Sequence, residues 1–250
     1  MDNPLFSIIT ITYNAADSIA PTMESLAAQT CRDFEHIIID GASSDSTLAI
    51  ARKIGGKDLR VVSERDSGLY DAMNKGLRFA RGKYVLFLNA GDAFAAPVSL
   101  SLYAEAAALS PDIIYGDTLI VDSNRRVLRP RHLSVPESLT FSSFSKGMLV
   151  CHQAFCVRRE IAPPYDISYR FSADYDWTVK CLKATTPTRC VNLHAVTIHY
   201  LDNGISEKHK IDSLKERFFI MKKHYGLGVA LGRHLQFVPR ALSRKFGSGN

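Results

Sequence analysis

Over the first hundred residues, short apolar runs rich in β-branched side chains alternate with amphipathic stretches of helical spacing. Strands that are apolar on both faces must be covered on both, so this alternation demands a parallel sheet flanked by helices. The strands are expected at Phe6 to Tyr13, Glu35 to Asp40, Leu59 to Ser63 and Tyr84 to Leu88, with helices at about Asp17 to Gln29, Asp45 to Ile54 and Leu69 to Ala80. Ser44 or Asp45 announces the second helix as its N-cap. The third helix has two faces. Tyr70, Met73, Leu77 and Ala80 form an apolar one for the core, while Asp71, Asn74, Lys75 and Arg78 form a polar one suited to bordering a site or to solvent.

After Pro97 the period changes. A helix over Val98 to Leu109 leads to an apolar run, Asp112 to Tyr115, and a polar, arginine-containing segment, Asp122 to His132. Residues 150–157, 189–192 and 195–200 read as strands, with a helix at about Tyr175 to Ala184. A chain of 250 residues supports one sizeable core, and the expectation is one mixed sheet with helices on both faces. A last helix, about Lys208 to Tyr225, spaces Ile211, Leu214, Phe218, Met221 and Tyr225 along one stripe. Packing onto the domain and contact with a membrane both suit that stripe, and packing is the commoner use.

Charge is unevenly spread. Residues 207–250 hold ten Lys/Arg against three Asp/Glu, so the formal net charge of +6 belongs to this tail. The tail's aromatics lie on the apolar stripe, which argues against nucleic-acid binding. The five cysteines (Cys31, Cys151, Cys156, Cys181, Cys190) form no C-x-x-C pair, so buried thiols in a reducing cytosol are expected rather than disulfides or zinc. No export signal is read at the N-terminus, and no run approaches the roughly 18 apolar residues of a membrane span. The expectation is a cytoplasmic protein.

In open α/β sheets ligands bind at the carboxyl ends of the parallel strands. Here those ends are polar: Thr12-Tyr13-Asn14, then Asp40-Gly41-Ala42-Ser43-Ser44-Asp45, then Glu64-Arg65-Asp66-Ser67-Gly68, then Asn89-Ala90-Gly91-Asp92. Neither G-x-G-x-x-G nor G-x-x-x-x-G-K-[ST] occurs, so a bound diphosphate needs another counter-charge. A hard divalent cation on a carboxylate such as Asp92 meets that need. Asp40 suits a base or ribose. The same acids also suit local work, since Asp40 and Asp92 sit in turn-forming sequences and Asp174 precedes a helix that it could cap.

Five segments now carry a resemblance: Phe6 to Asn14, Asp40 to Asp45, Asp66 to Gly76, Leu88 to Asp92 and Ala173 to Asp176. In this order they resemble family 2 glycosyltransferases of the GT-A fold, closest to the branch that builds bacterial exopolysaccharide, colanic acid and O-antigen units. The resemblance covers residues 5–206, divided into a donor half, 1–97, and an acceptor half, 98–206, with the basic tail 207–250 outside it. It implies inverting transfer of a sugar from a nucleotide-diphosphate donor, a UDP-sugar by preference, to a hydroxyl of a saccharide or lipid-linked saccharide, with Mn2+ or Mg2+.

By position, the resemblance implies that Thr12, Tyr13, Asn14, Asp40, Asp66, Gly68, Asn74, Lys75, Asn89, Ala90 and Gly91 bind the donor. The family's D-x-D appears as Asn89-Ala90-Gly91 followed by Asp92, which leaves Asp92 as the metal ligand. Asp174 maps to the catalytic base, with Asp176 its rival or an acceptor-side group beside His152 and Gln153 on a strand edge. Asn203 to Ser206 looks like the loop that closes over the donor. The implied place of work is the cytoplasmic face of the inner membrane, with the tail in peripheral contact. A sugar-phosphate nucleotidyltransferase would need a glycine-rich, arginine-bearing loop after the first strand, which is missing; a sugar-nucleotide-binding relic would keep the pocket without turnover.

Overall fold

β1 (Phe6–Thr12) is buried along its entire length, as a strand covered by helices on both faces must be. Ser7 and Thr10, two of its buried polar groups, are satisfied across the sheet. Ser7 Oγ donates to Glu35 at 2.6 Å, and Thr10 Oγ1 lies 2.9 Å from His36 Nε2, a ring whose pKa burial lowers to about 3. The computed structural model describes residues 3–56, 59–202 and 210–235.

The chain runs β1, α1 (Ile19–Ala27), β2 (Phe34–Asp40), α2 (Thr47–Gly55), β3 (Arg60–Ser63), α3 (Leu69–Phe79) and β4 (Tyr84–Phe87), followed by the two-residue β5 (Ala93–Phe94). These are the expected elements, with boundaries moved by one or two residues and β5 added. In the second half come α4 (Ser99–Ala107), β6 (Ile113–Val121), β7 (Val127–Pro130), β8 (Phe155–Arg158), α5 (Ala173–Lys183), β9 (Cys190–Leu201) and α6 (Lys210–Tyr225). Residues 227–235 are also helical.

Among the described residues all nine strands join one sheet in the order β3-β2-β1-β4-β8-β6-β9-β5, with β7 paired to β6. β3, β2, β1 and β4 are parallel, and β8 enters antiparallel between β4 and β6. Because β1 pairs with β2 on one side and β4 on the other, the chain reverses its direction of winding there. The crevice of such a sheet opens at this switch point, between Tyr13 after β1 and Asn89 after β4.

Two expectations are corrected. Residues 150–157 are not one strand: His152–Ala154 form a 3-10 turn that enters β8, so His152 and Gln153 lie on a turn rather than a strand edge. The runs at 189–192 and 195–200 are a single strand, β9, whose pairing with β6 shifts register near His194, at φ 51°. Within the arginine-containing segment, β7 folds back on β6 with a turn closed by Asp122.

α6 packs as the apolar stripe suggests. Ile220 and Met221 join the main core and Tyr225 stacks on Phe141, although Ile211 is exposed. Polar contacts finish the docking: Glu216 accepts the amides of Arg170 and Phe171 at 2.7 and 2.8 Å, and Ser213 meets Ser172 at 3.0 Å. Cys151, Cys156 and Cys181 are buried and all five thiols are unpaired. No helix among the described residues is long and apolar enough to cross a membrane.

Candidate active site

A cavity of about 640 Å³ opens at the switch point. It is lined by Thr12 and Tyr13 after β1, Asp66 and Gly68 before α3, and Asn89, Ala90 and Asp92 after β4. Tyr13 is exposed, with ring surface available for stacking. Gly41 sits between the walls: a Cβ there would stand 2.7 Å from Asp66 Oδ2 and 3.2 Å from the Tyr13 ring, so only glycine keeps that slot open.

His152, Gln153 and Asp174 line the same cavity, Gln153 hydrogen-bonding Asp92. Asp174 lies in the first turn of α5, and its Oδ1 accepts the Tyr175 amide at 2.8 Å and the Tyr70 hydroxyl at 3.3 Å. Tyr70 stacks on Tyr165, which stacks on Trp177. Burial, with the Asp174 charge adding to it, raises the Tyr70 pKa well above its ordinary value, so the phenol stays a donor. His152 Nε2 is 2.7 Å from Tyr165 Oη, and burial lowers the ring's pKa to about 4; at neutral pH it is an uncharged member of this aromatic group.

The loop Asn89 to Asp92 is suspended from its surroundings. The Gly91 amide donates to Thr22 Oγ1 at 2.9 Å, and Gly91, at φ 101°, faces Leu201 too closely for a side chain. Asp92 is buried; Oδ1 accepts the Leu201 amide at 3.0 Å, and burial pushes its pKa up to about 7 against the pull of that amide, Arg125 and Gln153. Arg125, from the β6–β7 turn, donates Nη1 to Gly91 O at 2.7 Å. Nearby, Asn89 Oδ1 and Thr12 Oγ1 are buried and without a hydrogen-bond partner among the described residues.

These oxygens bear on the metal. No group of three or more His, Cys, Asp or Glu side chains converges among the described residues. A buried carboxylate in the same loop as an unpartnered amide oxygen nevertheless suits a hard cation that takes its remaining ligands from phosphate and water.

Several expected donor residues do not reach the cavity. Asp40 is fully buried, accepting Ser43 N and Ser43 Oγ and, at 2.6 Å, Ser63 Oγ; it ties the loop after β2 to the end of β3, and Ser43 Oγ in turn accepts the Asn14 amide at 2.8 Å. Asn14 accepts the Ser44 amide at 2.9 Å in the same tie. Asn74 grips the Tyr165 backbone through both N–H and C=O, and Lys75 bonds Arg65 O and Glu64. The polar face of α3 therefore does not border the cavity; its apolar face does, through Tyr70 and Met73. Asp176 points away from the cavity into an ion-paired cluster with Lys180 and His224. The loop at 203–206 lies outside the described residues.

The remaining wall was not read from the sequence: Arg129, Arg131 and His132 after the β6–β7 turn, Tyr200 to Asp202 at the end of β9, and Arg217 on α6. The density of arginine between 125 and 131 was the available signal for the first group.

Residues 7–163 match Glycosyl transferase family 2. The chain belongs to this family. The glycosyltransferase is 34% identical over 213 residues to the PGL/p-HBAD biosynthesis glycosyltransferase of Mycobacterium bovis, covering 82% of this chain and 79% of that one. Its fold is similar to that of S. aureus TarS 1-349 in complex with UDP (TM-score 0.72, 20% identity, 92% of this chain and 72% of that chain). It is also similar to the mannosyltransferase PcManGT of Pyrobaculum calidifontis in complex with GDP-Man and Mn2+ (TM-score 0.66, 16% identity, 100% of this chain and 77% of that chain). The mixed α/β architecture of the glycosyltransferase is thus the GT-A fold.

Proposed function

We propose that this glycosyltransferase moves a hexosyl or N-acetylhexosaminyl group, with inversion, from a UDP-sugar to a hydroxyl of a saccharide or lipid-linked saccharide in bacterial surface polysaccharide synthesis. The observation that carries this reading is that Asp92 and Asp174 line one cavity, together with Tyr13 and Asp66, which stand on either side of Gly41. In the reaction, Asp174 removes the proton from the acceptor hydroxyl as its oxygen attacks the anomeric carbon opposite the departing diphosphate. Asp92, with Asn89, would hold Mn2+ or Mg2+, which supplies Lewis-acid stabilisation of the leaving diphosphate. Complexes of the similar proteins with UDP and with GDP-Man and Mn2+ support such a donor and such an ion. Turnover of a panel of UDP- and GDP-sugars with and without Mn2+, read by release of nucleoside diphosphate, tests it: metal-stimulated release is expected from one donor.

A second reading, a sugar-nucleotide-binding relic, is favoured by the Asn and Gly at positions 89 and 91. It predicts saturable nucleotide binding with no turnover in that panel.

We also propose that the C-terminal region rests on the cytoplasmic face of the inner membrane. Phe219, Leu227, Leu231 and Leu235 are exposed along a segment that also carries Lys222, Lys223 and Arg233. Each basic residue near an anionic surface contributes about 1 kcal/mol, so binding to anionic vesicles is expected to weaken as salt rises and to fall on deletion beyond residue 225. Full vesicle binding by the folded truncation would remove this part of the proposal.

A further inference from the structure

We infer that the acceptor-side wall carries an oxyanion subsite, built by Arg131 and Arg217, that takes an anionic group borne by the acceptor; this rests on the glycosyltransferase reading above. Both side chains line the cavity, one just beyond β7 and the other on α6. Their neighbour Arg129 is paired with Asp202 at 3.2 Å. In contrast, among the described residues no carboxylate lies within 4.0 Å of the Arg131 or Arg217 guanidinium. Arg131 donates to Leu149 O at 3.2 Å and Met148 O at 2.9 Å, which fixes its plane and leaves its charge unmet. Arg217 Nε is buried without a partner among the described residues, and the adjacent Glu216 is committed to the Arg170 and Phe171 amides.

A guanidinium stays charged at any working pH, and two of them in a partly buried wall are costly until an anion meets them. The donor's diphosphate is the less suitable anion. The cation felt by Asp92 is Arg125, whereas Arg131 is fixed to the carbonyls of Met148 and Leu149, and Arg217 lies on α6 where Glu216 and Ser213 bond residues 170–172, just before Asp174. The subsite therefore belongs to the molecule whose hydroxyl Asp174 would deprotonate. Guanidinium groups take phosphate and carboxylate alike, so a phosphorylated acceptor and one containing a uronic acid share the required chemistry.

The test uses the full chain saturated with UDP or GDP, whichever raises its melting temperature, and titrates inorganic phosphate and glucuronate by calorimetry. Saturable binding of at least one probe is expected, weakened about tenfold in R217Q and in R131Q, retained in R131K, with nucleotide affinity unchanged. The probe that binds names the anion. R217Q removes no described hydrogen bond, so it carries the test even if R131Q fails to fold. Absence of saturable binding by either probe overturns the inference. So does a probe that competes with the nucleotide while both variants lose nucleotide affinity, since the arginines then serve the donor. If neither nucleotide binds, the donor reading fails, and the probes titrated alone still decide the subsite.

Discussion

Asp174→Asn is expected to lower turnover by about 10²- to 10⁴-fold while leaving nucleotide affinity nearly unchanged, the range a positioned general base contributes. The substitution preserves shape. Oδ1 of Asp174 is occupied by the Tyr175 amide and the Tyr70 hydroxyl, and among the described residues no hydrogen bond uses Oδ2. An acceptor hydroxyl thus has a carboxylate oxygen to bond, on a side chain held by the stack of Tyr70, Tyr165 and Trp177. The donor residues of the proposal, Tyr13, Asp66 and Asp92, come from other strand ends and are untouched by the change. Steady-state rates with the preferred sugar nucleotide, together with calorimetric affinity for its nucleoside diphosphate, separate the two effects. Near-normal turnover in the variant would place the base elsewhere.

What the sequence reveals about this protein is what local periodicity and strand ends encode. The alternation of strands and helices foretells β1 to β4, and a parallel sheet brings residues that follow its strands to one crevice; Tyr13, Asp66, Asn89 and Asp92 meet there for that reason. A polar helix face carries no such guarantee. Asn74 and Lys75 are polar because they hold neighbouring loops, and Asp40 because two serine-bearing segments need an anchor, whereas the apolar Tyr70 and Met73 serve both the core and the cavity. Arg217 reaches the wall only through the docking of α6 on the acceptor half, a non-local event with no trace in spacing. The loop Asn89 to Asp92 lies between these cases: its position is legible in the sequence, but the buried, unpartnered oxygens of Asn89 and Thr12 near it appear only in the fold.

Asp176→Asn separates the two aspartates of α5, because its main expected effect is on stability. Asp176 is fully buried, with His224 Nε2 at 2.7 Å and Lys180 Nζ at 2.6 Å, so it fastens α6 to the helix that bears Asp174. Burial alone would raise its pKa, but hydrogen bonds from His224 and Lys180 and the charges of Lys180 and Lys223 hold it at about 2. Breaking a buried ion pair costs about 3–5 kcal/mol; since Lys180 and Lys223 reach solvent, about 3 kcal/mol is expected, read as a lower denaturation midpoint at pH 7. The sign of the pH dependence follows from the lowered pKa. The carboxylate's contribution is present above the unfolded value, about 3.9, and is lost as pH falls through about 2. Wild type and variant should therefore converge in stability between about pH 4 and pH 2, whereas a gap that stays constant across that window would show that Asp176 does not act through its charge. If the variant instead keeps its stability and loses turnover, the base is Asp176 and the role assigned to Asp174 falls with it.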